Sequence, residues 1–123
     1  MGNGVMRNQE LSDRTKRFAL RIIRLFVALP HADVAKVLGK QLLRSGTSVG
    51  ANYREACRAR SDAELISKLG IVEQELDESI YWMELLVEGE VVAATKLTEL
   101  QAEAEDLMKI IVTSIKTIKS RKR

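Results

Sequence analysis

Residues Ser61 to Gly89, SDAELISKLGIVEQELDESIYWMELLVEG, carry the clearest helical pattern in the chain. Ser61 and Glu64 form an S-x-x-E capping box, in which the serine hydroxyl and the glutamate carboxylate satisfy backbone N–H groups at a helix start. Leu65, Leu69, Val72, Leu76, Ile80 and Met83 then recur at spacings of three and four. That spacing keeps one apolar face on a helix and is close to the repeat of a coiled coil. Gly89 follows as a stop signal. A helix of this length with one apolar seam needs partner helices to cover it.

The partners lie on both sides of this stretch. Upstream, Phe18, Ile22, Leu25, Phe26 and Leu29 share one helical face. Ser12 or Asp13 is the expected cap of that first helix. Pro30 ends it, because a residue before proline avoids the α region. A second helix is expected from about Asp33, with Val34, Val37, Leu38, Leu42, Val49, Tyr53 and Ala56 on its apolar face. Gly39, Gly46 and Gly50 fall inside it, each costing about 1 kcal/mol against alanine. The phase of the pattern persists across them, which favours one continuous helix, at most kinked at Gly46 to Gly50, whose small residues admit a close neighbour. Downstream, after a connector with Val91 and Val92, the residues Leu97, Leu100, Ala104, Leu107, Ile111, Ile115 and Ile118 mark a fourth helix. It runs into the basic tail Arg121, Lys122 and Arg123, and cations suit a helix C-terminus.

Four amphipathic helices with short connections predict an all-α, antiparallel up-down four-helix bundle. At 123 residues with 46% hydrophobic content the chain suits one folded domain. The expected division is a flexible N-terminal segment over 1–11, the bundle over 12–120 and a basic tail over 121–123. No stretch approaches the roughly 20 apolar residues that span a bilayer. The start of the chain lacks a signal-peptide core. With a single cysteine no intramolecular disulfide can form, so the expected compartment is a reducing cytoplasm.

Catalytic chemistry finds little support. His31 and Cys57 are each the only residue of their type. About 26 helical residues between them, at a rise of about 1.5 Å, hold them nearly 40 Å apart. Cys57 is expected as a small packing residue. A di-metal bundle requires inward Glu-x-x-His pairs, and none is present, so no metal or cofactor is expected. Glu75 and Glu78 share a face and form the one carboxylate pair with conceivable acid–base use, at a subunit interface. Nucleotide-binding glycine motifs are missing.

Charge is more informative. Lysine and arginine total 20 against 17 acidic residues, a net charge of +3. On a helical wheel of about 100° per residue, Lys36, Lys40, Arg44, Arg54 and Arg58 fall within an arc of roughly 80°. Arg14, Arg17, Arg21 and Arg24 line a second stripe on the first helix. Such faces can neutralise phosphates of RNA or DNA without reading sequence. The opposing reading is an ordinary solvated surface, with Arg44 and Arg54 pairing to Glu75 or Glu78. With aromatics at 4%, base stacking is scarce. On the third helix, Ile71, Trp82 and Leu85 lie off the main seam with Tyr81 beside them. They are expected either at a subunit contact or over a bundle edge.

Three segments carry a family resemblance: QLLRSGTSVGANYRE at Gln41–Glu55, ELDESIYWMELL at Glu75–Leu86 and SIKTIK at Ser114–Lys119. Together they resemble the four-helix-bundle family encoded in intervening sequences of bacterial large-subunit ribosomal RNA genes, often described as ribosomal-protein-like. The chain is also similar to accessory variability proteins of diversity-generating retroelements. The most specific part is R-S-x-x-S-V-x-A-N at Arg44–Asn52, followed by Glu55; Gly50 stands where many relatives have proline. The resemblance implies an up-down bundle, often a homopentamer, without established enzymatic activity. It also implies, through the retroelement relatives, binding to nucleic acid and to a reverse transcriptase. The resulting expectation is a non-enzymatic homo-oligomeric scaffold able to engage nucleic acid, with a pure protein-interaction module as the rival.

Overall fold

The computed structural model describes the backbone of residues 2–121 and the side chains of residues 8–121. Four helices run in order: α1 (Gly2–Ala28), α2 (Asp33–Cys57), α3 (Asp62–Glu88) and α4 (Thr98–Ser120), with a short 3-10 turn at Ala94–Lys96 before the last. Among the described residues there is no strand. Each helix packs against the next in sequence, and α1 also meets α4, though less extensively. This is the antiparallel up-down bundle. Residues 122 and 123 of the basic tail lie outside the described residues.

The third helix starts as its capping box predicts. The Glu64 N–H donates to Ser61 Oγ at 3.1 Å. The Glu64 carboxylate reaches one residue further back than usual and accepts from the Arg60 N–H at 2.8 Å. The helix stops at Gly89, which is not left-handed (φ −80°). The left-handed residue is Glu90, at φ 59°. Glycine is required at 89 for a different reason: a Cβ there would sit 2.8 Å from the Leu85 carbonyl oxygen. The freed carbonyl of Leu86 accepts from both Val91 and Val92.

Two expectations need correction. Helix α1 begins at Gly2, not at Ser12 or Asp13. Those residues are interior: Gln9 Nε2 donates to Asp13 Oδ1 one turn on, and Thr15 Oγ1 donates back to the Leu11 carbonyl. The apolar phase extends back to Leu11, which is buried in the core, so the part of segment 1–11 next to Ser12 belongs to the packed bundle. The second correction concerns α2. Val34 and Val37 are exposed (59% and 62%), and the buried line at that end is Ala35 and Gly39. Further on, Leu42, Val49, Tyr53 and Ala56 are buried as expected.

The reason is the close approach of α1 and α2. A Cβ on Gly39 would lie 2.5 Å from Leu29 Cδ1, and one on Gly46 would collide with Ile22 Cδ1. A Cβ on Gly50 would meet Thr15 Oγ1 at 3.3 Å. The helix runs unbroken through all three glycines. Its cost in backbone entropy is offset by tight contact along the seam, where dispersion is strongest. On the opposite side α2 meets α3 through Ser45 and Ser79, both fully buried, with their hydroxyl oxygens 2.9 Å apart. Ser79 also donates to the Glu75 carbonyl at 2.8 Å. The Ser45 hydroxyl can donate to Ser79 or, at 3.4 Å, to the Leu42 carbonyl of its own helix. The centre of the core is mostly aliphatic, with Ile22, Leu76, Leu107 and Ile111 fully buried beside Phe18 and Met83.

Candidate interaction surfaces

The five cations picked out on α2 are all exposed, but they are not equivalent. Arg44 reaches across to α3, with Nη1 3.3 Å from Glu75 Oε1 and Nη2 bonded to Glu78. The carboxylate pair that could have done acid–base work is thus held by a guanidinium. Lys36, Lys40, Arg54 and Arg58 form no ion pair with a described residue. Lys36 and Lys40 are one turn apart, as are Arg54 and Arg58, and 18 residues separate the pairs. Eighteen residues make five helical turns, so the pairs project on the same side, about 27 Å apart along the axis.

The α1 arginines divide similarly. Arg14 makes a two-point contact with Glu103 of α4, at 3.0 Å from Nε and 2.7 Å from Nη2. That hydrogen bond raises the Arg14 pKa, against a smaller opposing effect of burial. Arg21 lies 3.8 Å from the nearly fully exposed Glu99. These residues stitch α1 to α4, whereas Arg17 and Arg24 are exposed. Lys68 of α3 donates to Glu55 of α2 at 2.8 Å, which raises its pKa. Lys16, which sequence reasoning passed over, lines one groove with Arg54 and Arg58, and Asp13 is in the same groove. Its signal was available only from the facing of α1 against α2, not from either helix alone.

Apolar exposure is distributed differently from expectation. Of the four residues picked out on α3, Tyr81 is open at 51%. Ile71, Trp82 and Leu85 are half-buried, and Trp82 packs on the core cluster. The Tyr81 and Trp82 rings meet edge-on with centroids 5.1 Å apart. Trp82 Nε1 is buried with no hydrogen-bond partner among the described residues. The larger exposure is on the α1–α2 hairpin. Leu20, Ile23 and Val27, on one stripe of α1, are 40%, 40% and 75% exposed, in addition to Val34 and Val37.

Cys57 is exposed rather than packed. It sits in the last turn of α2, where a helix end has fewer neighbours than the middle. His31 is exposed in the turn between α1 and α2. Among the described residues no group of three or more His, Cys, Asp or Glu side chains is placed to hold a metal ion. Among the described residues no helix is long and apolar enough to cross a membrane.

Comparison with known proteins fits this geometry. The family model described as 23S rRNA-intervening sequence protein matches residues 7–113. No curated protein matches the chain. Among solved structures, a protein of unknown function from the S23 ribosomal protein family of Bacteroides thetaiotaomicron VPI-5482 is 37% identical, with a TM-score of 0.82. The alignment covers 89% of this chain and 97% of that one. The bundle described above therefore belongs to the 23S rRNA-intervening sequence protein family.

Proposed function

We propose that this chain is a non-enzymatic helical scaffold that self-associates and carries nucleic acid on the outer face of its α1–α2 hairpin. The observation that carries the reading is the pair of cation pairs on α2. Lys36 with Lys40 and Arg54 with Arg58 are exposed, uncommitted to carboxylates and aimed the same way. Lys16 extends the second pair across the groove. Such a surface binds phosphate by position and charge, with counterion release and no base readout. Self-association draws support from the exposed aliphatic stripe, since apolar surface gathered on one face marks an interaction site. A cytoplasmic setting suits both roles and keeps an exposed thiol reduced.

The test is light scattering after size-exclusion chromatography, repeated with duplex RNA and duplex DNA at low and moderate salt. The expected result is a defined oligomer whose mass rises with nucleic acid at low salt and falls back as salt increases. Replacing Lys36, Lys40, Arg54 and Arg58 by glutamine should abolish the rise and leave the oligomer intact. No rise at low salt, or a rise indifferent to salt, overturns the nucleic-acid reading. A protein-interaction module would then remain, favoured by Leu20, Ile23 and Val27 lying open on the same hairpin.

A further inference from the structure

The bundle is not equally tight on all four sides. Helices α1 and α4 are joined by Arg14–Glu103 and Arg21–Glu99, and among neighbouring helices they meet least extensively. At the end of the bundle where α2 and α4 finish and α3 starts, a recess of about 400 Å³ is lined by residues of all four helices, within the size range of small-molecule sites. Its floor is apolar and closed: Leu11, Tyr53, Leu69 and Ile118 are each less than 10% exposed. On the α4 side the lining is short and polar at Thr113, Ser114 and Thr117, with Ile118 beside them. The Ser114 hydroxyl is folded back onto its own helix, donating to the Ile110 carbonyl at 2.8 Å, so it neither fills the recess nor bridges it.

Arg121 lies at the mouth. Its Nη2 is 3.2 Å from Asp62, an exposed single contact (56% and 39%) of the kind that contributes little. A guanidinium has five donors, so most of this one remain open to a second carboxylate. The surrounding end of the bundle adds Arg58, Arg60 and Lys119, all exposed. An apolar recess with a cationic rim is complementary to a molecule with an apolar body and one anionic end.

From this geometry we infer that the recess at this end of the bundle binds amphiphilic carboxylates of medium chain length, chain inward and carboxylate at Arg121. The carboxylate position at Arg121 is distinct from Lys36, Lys40 and Arg54, and of the cation pairs on the α1–α2 face only Arg58 also borders this end of the bundle.

Octanoate, below its aggregation concentration, is the probe, with octanol and octyltrimethylammonium as neutral and cationic counterparts. Two readouts apply to the unaltered protein. Methyl resonances of Leu11, Leu69 and Ile118 should shift on titration. Alkylation of Cys57 by iodoacetamide should slow, because this single cysteine lies on the rim. Arg121→Gln should weaken octanoate about tenfold, as loss of a charge-assisted pair does, and leave octanol unchanged. Ser114→Leu should fill the recess and abolish both effects. The inference fails if octanoate shifts none of these methyls, or if octanol or the cation binds as tightly. It fails equally if Ser114→Leu remains folded and still binds. If that variant does not fold, the methyl shifts and Cys57 protection in the unaltered protein decide. Methyl shifts that depend on protein concentration alone would put a second copy in the recess and overturn it too.

Discussion

At the scale of single residues the most consequential positions are glycines, and they do not all play the same part. Gly46 lies against the buried side chain of Ile22, whereas nothing lies within 4 Å of a Cβ placed on Gly70 of α3. Alanine gains about 1 kcal/mol over glycine in a helix interior. Gly70→Ala should therefore raise stability by about that amount. Gly46→Ala collects the same gain but forces Ile22, fully buried, out of its place, and overpacking costs about 1–3 kcal/mol. Its net effect should be destabilising. Denaturant unfolding of the two variants checks the sign of each, and a stabilised Gly46→Ala would mean that α1 and α2 have room to separate. The buried serines are a second residue-scale device. Ser45 and Ser79 meet hydroxyl to hydroxyl in the α2–α3 seam, and each also reaches a carbonyl of its own helix, at Leu42 and Glu75, so neither buried hydroxyl lacks a partner.

At the scale of elements, Arg44 shows how a charge read on one helix changes meaning when a second is placed beside it. On α2 alone it belongs to the basic face; beside α3 it is held by Glu75 and Glu78. Glu75→Gln with Glu78→Gln should release it. Phosphate affinity should then rise, with the salt dependence steepening by about one contact. The cost in stability should be small, since the arginine is half exposed. Titration of a duplex against salt measures this, and an unchanged slope would remove Arg44 from the binding face. Seams where large aliphatics do the packing, as in α3 and α4, were legible from spacing alone. The start of α2 was not, because its contact line consists of Ala35 and Gly39 while the larger Val34 and Val37 face solvent. Where two helices come very close the smallest residues line the contact, so a reading that follows hydrophobicity selects the wrong face. The start of α1 was misjudged for a related reason: Ser12 and Asp13 are good caps, but Leu11 behind them continues the apolar phase into the core. The cation face on α2 was legible as a periodicity; Lys16 and the aliphatic stripe depended on how two helices sit together.

At the scale of the whole molecule, the exposed stripe on the α1–α2 hairpin should govern assembly. Leu20, Ile23 and Val27 are 40% to 75% exposed, so glutamate at Leu20 and Val27 should leave folding almost untouched, with surface changes of about 0.5 kcal/mol or less. The same pair of changes should reduce the mass measured by light scattering. A variant that keeps its oligomeric mass would exclude this stripe from the contact, and Tyr81 with Trp82 would be the next surface to alter.

An up-down bundle of four helices returns to where it began, so the start of α1 and the end of α4 lie at one end of the molecule, beside the loosest seam. A tether pulled through those ends therefore peels α1 from α4 and breaks their contacts a few at a time. A tether between His31, at the far end, and Arg121 must instead slide whole helices past each other. In an optical trap the first attachment should rip at distinctly lower force than the second. Equal forces would show that the α1–α4 seam is mechanically as strong as the α2–α3 and α3–α4 seams that the second tether loads.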